Sequence, residues 1–182
     1  LAPHRTRVCL TVCLIGPECT GKTTLAERLA AHFDVPWIPE FAREYALRVG
    51  RALTMEDVIP IAMGEMALLD AAVSDGLLIL DTDLISTVVY SRYYYGSCPD
   101  WIEREALSRR ADFYLLMDCD VPWSDDAVRD SADSRLAQYG QFLSALAAFE
   151  ANVVTINGSW EERFAAAVRE ISSREDAKTR RG

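Results

Sequence analysis

The sequence predicts an α/β three-layer sandwich built around a five-stranded, mostly parallel sheet. Five short apolar runs recur along the chain, and helical stretches separate them. Polar and glycine-containing segments follow each run directly, which is where ligands bind in such sheets, beyond the carboxyl ends of the strands.

The first run, "VCLTVCLI" (8–15), is continuous and rich in β-branched side chains, the pattern of a strand covered on both faces. The others are "PWI" (36–38), "LLIL" (77–80), "FYLLM" (113–117) and "VVTI" (153–156). Between them, Thr54 with Asp57, Asp100 with Glu103 and Ser159 with Glu162 are spaced as capping boxes and mark helix starts. With 182 residues, half of them hydrophobic, the chain supports one domain with a proper core. That domain is placed at residues 1–175. The charged end of the chain lacks apolar periodicity, and residues 176–182 are expected to fray.

The 28 acidic and 19 basic residues leave a net charge of −9, and the basic ones form no long stripe. This argues against a nucleic-acid backbone as the main partner. No stretch resembles a membrane span or signal peptide. Five cysteines without a CxxC pair suit buried thiols in a reduced, cytoplasmic protein.

"GPECTGKT" (16–23) carries the most information. It matches GxxxxGK[ST] and lies between the first strand and the helix "TTLAERLAAHF", the context this phosphate-binding loop requires. Gly16 and Gly21 let the loop Pro17-Glu18-Cys19-Thr20 curl so that its N–H groups, from Glu18 onward, and those of the following turn, through Thr24, surround phosphate oxygens. Lys22 neutralises the β and γ phosphates, and the Thr23 hydroxyl serves Mg²⁺. Cys19 reads as a small filler. The expectation is therefore a P-loop NTPase fold that binds ATP and Mg²⁺.

The segments after the other strands supply further candidates. In "LLILDTD", Asp81 ends the strand and is favoured for magnesium; Asp83 suits either magnesium or a helix N-cap. Glu40 follows the second strand, where a kinase needs a carboxylate to orient an acceptor hydroxyl and take its proton, although an acid at a helix start has the same signature. Arg43 and Glu44 share its helix face. In "NGSW", Asn157 and Gly158 suit contacts to an adenine edge, while Ser159 serves equally well as a cap. The tyrosines of "YSRYYYG" read mainly as core or lid packing. "DCDVPWSDDAVRD" (118–130) is no EF-hand loop, since Trp123 stands where the sixth-position glycine belongs.

A GTPase would show an N/TKxD motif after the fourth strand, and a transporter ATPase an LSGGQ-like run. Neither is present. A nucleoside/nucleotide-kinase-like enzyme fits best. The alternatives are a non-kinase ATP-binding regulator and a kinase for another nucleoside or for a polynucleotide 5′-hydroxyl.

Taken together, "GPECTGKTTLAERLA", "PEFAREYA", "DTDLISTVVYSRYYYG", "RRADFYLLMDCDVPWSDDAVRD" and "NVVTINGSWEERF" resemble the ribosylnicotinamide kinase domain of NadR-type proteins, over about residues 8 to 172. The resemblance implies transfer of phosphate from ATP, with Mg²⁺, to the 5′-hydroxyl of a nucleoside-like small molecule, nicotinamide riboside, giving nicotinamide mononucleotide for NAD biosynthesis. It implies that Lys22, Thr23 and Asp81 serve ATP and Mg²⁺, that Glu40 or Asp83 handles the ribose hydroxyl, and that Arg129, with Arg135, is the lid cation. Two features depart from the family. Ala127 replaces the glycine of its "DG.R" lid, which would stiffen the hinge. No adenylyltransferase HxGH-type motif is present, so adenylylation is not expected.

Overall fold

The computed structural model describes residues 10–72, 74, 76–120 and 132–179. Its elements are β1 (Leu10–Ile15), α1 (Lys22–Phe33), β2 (Trp37–Ile38), α2 (Phe41–Val49), a 3-10 turn (Met55–Asp57), α3 (Val58–Ala71), β3 (Leu77–Asp81), α4 (Leu84–Tyr95), α5 (Asp100–Ser108), β4 (Phe113–Met117), α6 (Ala132–Ala148), β5 (Val153–Ile156) and α7 (Trp160–Thr179). All five expected strands form. They make one sheet in the order β2-β3-β1-β4-β5, and all four pairings are parallel.

The continuous apolar runs are explained by the two faces of that sheet. In β1, Cys13 and Ile15 enter one core while Val12 and Leu14 enter the other, because alternate side chains of a strand point to opposite faces. Leu78 and Leu80 of β3 and Tyr114 and Leu116 of β4 join the first core, packed beneath α3, α4, α5 and α6. Leu77, Ile79, Phe113 and Leu115 join the second, beneath α1 and α7. The chain therefore has the P-loop NTPase three-layer architecture. β5 is an edge strand, with Val153 exposed, rather than a strand covered on both faces.

Two of the three capping pairs form. The Thr54 and Asp57 box closes at the 3-10 turn leading into α3, and Asp57 also receives Arg51 (2.6 Å) and the Tyr45 hydroxyl (2.9 Å). Ser159 and Glu162 exchange bonds of 2.8 and 3.4 Å at the start of α7. Asp100 is not a cap. Pro99 takes the N-cap position of α5 and no side chain caps it, so Asp100 and Glu103 act as first-turn acids facing the positive end of the helix dipole. α7 continues to Thr179, so 176–179 are helical where fraying was expected; 180–182 lie outside the described residues.

β1 lies between β3 and β4: the chain runs from it to β2 at one edge and later crosses from β3 to β4 on its other side, and this reversal of strand order opens a crevice at its carboxyl end. The P-loop fills that crevice.

Candidate active site

The loop after β1 curls as its glycines require. Gly16, Cys19 and Gly21 have φ of 135°, 57° and 84°, in the region that disfavours side chains. A Cβ on Gly16 would lie 2.9 Å from the Met117 carbonyl oxygen at the end of β4, so loop and strand approach too closely for any other residue. Cys19 is exposed and so is not the small filler expected. Thr20 is fully buried and its hydroxyl donates to the Pro17 carbonyl (2.9 Å), which tightens the turn.

Gly21 occupies the N-cap of α1 without any side-chain cap, and no acid stands in the first turn. The N–H groups at this helix start are therefore open to an anion, and the helix dipole favours one. Lys22, buried at 7% exposure, donates to the Gly16 (3.0 Å) and Pro17 (2.7 Å) carbonyls within the loop. Glu18 is half-buried and Thr24 exposed. Thr23 lies one step into α1, and its hydroxyl donates to Asp81 Oδ2 at 2.6 Å.

Asp81 ends β3 at 1% exposure, and its Oδ1 has no hydrogen-bond partner among the described residues. Burial raises its pKa. A buried carboxylate oxygen left open beside a threonine hydroxyl is an oxygen donor set that fits Mg²⁺, which takes one or two carboxylates plus phosphate and water. No cluster of three His, Cys, Asp or Glu side chains suited to a metal exists among the described residues, and Mg²⁺ needs none.

Asp83 reaches its place through Thr82, whose φ of 70° turns the chain sharply after the strand. Its Oδ1 accepts the Ile85 N–H (3.0 Å), making it the N-cap of α4, and its Oδ2 accepts the Tyr114 hydroxyl (2.6 Å). Burial lifts its pKa to about 6. Glu40 is the N-cap residue of α2 but makes no side-chain cap bond; it pairs with Arg43 at 3.5 Å.

Glu65 on α3 was not singled out in the sequence. It lines a small cleft with Asp81, Thr82 and Asp83, against Ile38 at the end of β2 and Pro39 just after it. The Thr87 hydroxyl donates to it at 2.7 Å. Burial, followed by the nearby charges of Asp83 and Glu40, raises its pKa from 4.5 to about 8. The signal was present as the lone ionisable residue within the apolar stretch "VIPIAMGEMALL".

This shift predicts a pH dependence of stability. A carboxyl whose folded pKa lies above its unfolded value binds its proton more tightly when folded, so stability is full below about pH 4.5 and falls as the pH rises to about 8. Glu65→Gln keeps an acceptor for Thr87 and removes the charge. Its melting temperature should match the parent near pH 4.5 and exceed it at pH 8 by roughly 4–8 °C, equivalent to about 2 kcal/mol. Thermal melts across this range check both the sign and the window.

At the other end of the P-loop, Arg163 of α7 is completely buried. It donates to the carbonyls of Gly158 (2.9 Å), Asp118 (3.1 Å) and Thr20 (3.3 Å), and to the carboxylate of Asp120. Asp120 in turn accepts the Gly158 N–H at 2.6 Å. One guanidinium thus joins the P-loop to the segments after β4 and β5. Both backbone groups of Gly158 are engaged within the protein, while Asn157 is exposed. The Trp160 ring lies over Gly21, where a Cβ would come within 1.9 Å of it. In sequence "SWEERF" reads as a solvated helix start, which hid Arg163.

Arg135 on α6 is 6% exposed, and its Nε and Nη1 have no hydrogen-bond partner among the described residues. Arg129, with Pro122, Trp123 and Ala127, lies outside the described residues. Tyr90 stacks on Tyr94 and meets Phe142 of α6 edge-on, and the Tyr94 hydroxyl accepts from Gln138. The tyrosine segment is therefore a packing surface between α4 and α6. No helix among the described residues is long and apolar enough to cross a membrane.

Several known proteins are similar to this chain. The trifunctional NAD biosynthesis/regulator proteins NadR of Salmonella typhimurium and Escherichia coli are each 29% identical to it over 130 residues, covering 68% of this chain and 32% of theirs. The chain thus spans about a third of the length of the curated relatives it matches. A crystal structure of NadR protein in complex with NR aligns with a TM-score of 0.80 at 25% identity, over 94% of this chain and 53% of that one. One of NadR with NAD and AMP-PNP gives 0.75 at 25% identity, over 90% and 49%. Thymidylate kinase from Ehrlichia chaffeensis shares the fold, with a TM-score of 0.66 at 14% identity, over 91% of this chain and all of that one. The family model described as AAA domain, AAA_28, matches residues 11–163, and the chain belongs to that family.

Proposed function

We propose that this chain is an ATP- and Mg²⁺-dependent kinase that phosphorylates the 5′-hydroxyl of nicotinamide riboside, yielding nicotinamide mononucleotide. The observation that carries the reading is the junction at Asp81. On one side its Oδ2 is bonded to Thr23 of the phosphate loop; on the other it lines the acidic cleft shared with Asp83 and Glu65. Donor and acceptor sites therefore meet at one carboxylate. The similarity to NadR structures with NR and with AMP-PNP supports the same pairing of ligands.

In this reading Lys22 turns from the loop carbonyls to the β and γ phosphates, and the α1 N–H groups hold the remaining oxygens. Thr23 and Asp81 hold Mg²⁺, which when bound neutralises charge between the phosphates. Asp83 or Glu40 orients the acceptor hydroxyl and receives its proton. A pKa near 6 suits Asp83 to accept a proton at neutral pH. The lid cation is assigned to Arg129 with Arg135, whose buried, unbonded guanidinium nitrogens suit a phosphate oxygen.

The test is direct. Purified protein with Mg²⁺-ATP and nicotinamide riboside should give the mononucleotide by mass spectrometry. Phosphorylation of thymidine, uridine or adenosine in its place would keep the kinase and refute the acceptor. ATP binding without transfer to any nucleoside would favour a regulatory NTPase.

A further inference from the structure

The cleft beside the P-loop carries more carboxyl groups than phosphoryl transfer requires. One carboxylate to receive a proton and one to hold a metal would suffice, yet Asp81, Asp83 and Glu65 line it together and Glu40 lies close by. The nearby cations are already committed. Arg109, which also lines the cleft, is bonded to Asp70 (2.6 Å) and Glu105 (2.7 Å). Arg43 pairs with Glu40, and Lys22 is held by the loop carbonyls. Among the described residues, the one bond found for Glu65 comes from the neutral Thr87 hydroxyl. The buried Oδ1 of Asp81, the oxygen read above as a Mg²⁺ ligand, has no partner among the described residues, so at this end too the cleft is completed by a bound group.

Resting on the kinase reading, we propose that Glu65 is the specificity-determining residue for a positively charged acceptor, its carboxylate serving as the counter-charge to a cationic heterocycle. Nicotinamide riboside carries a fixed positive charge on its pyridinium ring, whereas the common nucleosides are neutral. Carboxylates crowded in a partly desolvated cleft repel one another, and a cation placed among them relieves that repulsion as well as contributing its own attraction. A neutral base recovers neither term and also loses water from the carboxylates. Burial, and after it the charges of Asp83 and Glu40, raise the pKa of Glu65, and a cation bound beside it would oppose that rise. α3 brings Glu65 to the cleft, while Asp83 comes from the end of β3, so the acceptor's charge and its hydroxyl are read by different elements.

The experiment compares nicotinamide riboside with its dihydro form, which has the same ribose and carboxamide but no ring charge. Both are assayed at pH 8.5 with the parent, Glu65→Gln and Glu65→Asp. The parent should prefer the cationic form in kcat/KM. Glu65→Gln should lower that preference about tenfold, mainly through KM for the charged acceptor, and Glu65→Asp should restore part of it. If Glu65→Gln raises KM equally for both acceptors, Glu65 binds a group they share and the inference fails. If the preference is unchanged, it fails as well. If the parent phosphorylates neither acceptor, the reading of the whole site as a nicotinamide riboside kinase fails first, which is a different result.

Discussion

Replacing Lys22 by alanine lowers turnover by about 10³-fold or more, with the fold retained. The side chain is buried beneath the P-loop, and its ammonium donates to the carbonyls of Gly16 and Pro17 at the start of that loop. No side chain caps α1, so within the loop the phosphate charge is met by backbone dipoles together with the Lys22 ammonium. Dipoles alone hold a triphosphate, but they do not follow the charge that shifts toward the bridging oxygen during transfer. The loss should therefore appear in kcat at saturating ATP as well as in affinity. Lys22→Arg should not restore activity, because a planar guanidinium does not fit the space between two carbonyls that accept at 3.0 and 2.7 Å. Circular dichroism and single-turnover assays check this together; a folded variant with more than a tenth of parental turnover would refute the assignment.

Arg163→Met should destabilise the protein by about 3 kcal/mol, a fall in melting temperature of roughly 6–12 °C, and raise KM for ATP. The substitution roughly preserves apolar volume while removing every donor. Three carbonyls, from Thr20, Asp118 and Gly158, then lose a charged partner, as does the carboxylate of Asp120. Buried groups left without partners cost more than the bond itself contributed. Because Thr20 belongs to the P-loop, the damage reaches nucleotide binding and not stability alone. Arg163→Lys should behave nearly as badly, since a single ammonium does not span groups from three separate segments. A variant that melts early but binds ATP with parental affinity would make Arg163 a purely structural clamp.

Much of the site was legible before folding was considered. GxxxxGKT placed between a strand and a helix specifies a backbone cradle, and the cradle forms with Gly16 and Gly21 in the conformations it needs. Asp81 was expected at the end of β3 opposite Thr23, and the two are 2.6 Å apart across 58 residues of chain. Asp83 was read as either metal ligand or cap, and its bond to the Ile85 N–H shows the cap. Its second partner, Tyr114, was hidden because a tyrosine inside "FYLLM" looks like core until its hydroxyl is located.

Other features depended on neighbours that no local pattern reveals. Asp100 has the spacing of a cap, but Pro99 precedes it and starts α5 one residue earlier. Gly158, expected near an adenine, has both backbone groups taken by Asp120 and Arg163. In sequence Glu65 stands out only as a lone acid in an apolar stretch, and Arg163 looks like an ordinary helix charge. One is drawn into a cleft by Thr87 and the other is buried completely.

By itself, then, the sequence determined the sheet, its two cores and the phosphate loop, because those follow from periodicity and from glycine's access to positive φ. Tertiary structure alone decided which charges share a desolvated space. Glu40, Glu65 and the pair Asp81 and Asp83 come from three separate stretches of chain, and α2, α3 and the end of β3 bring them together. Their effect on one another depends on distance and burial, which are properties of the fold and not of any segment.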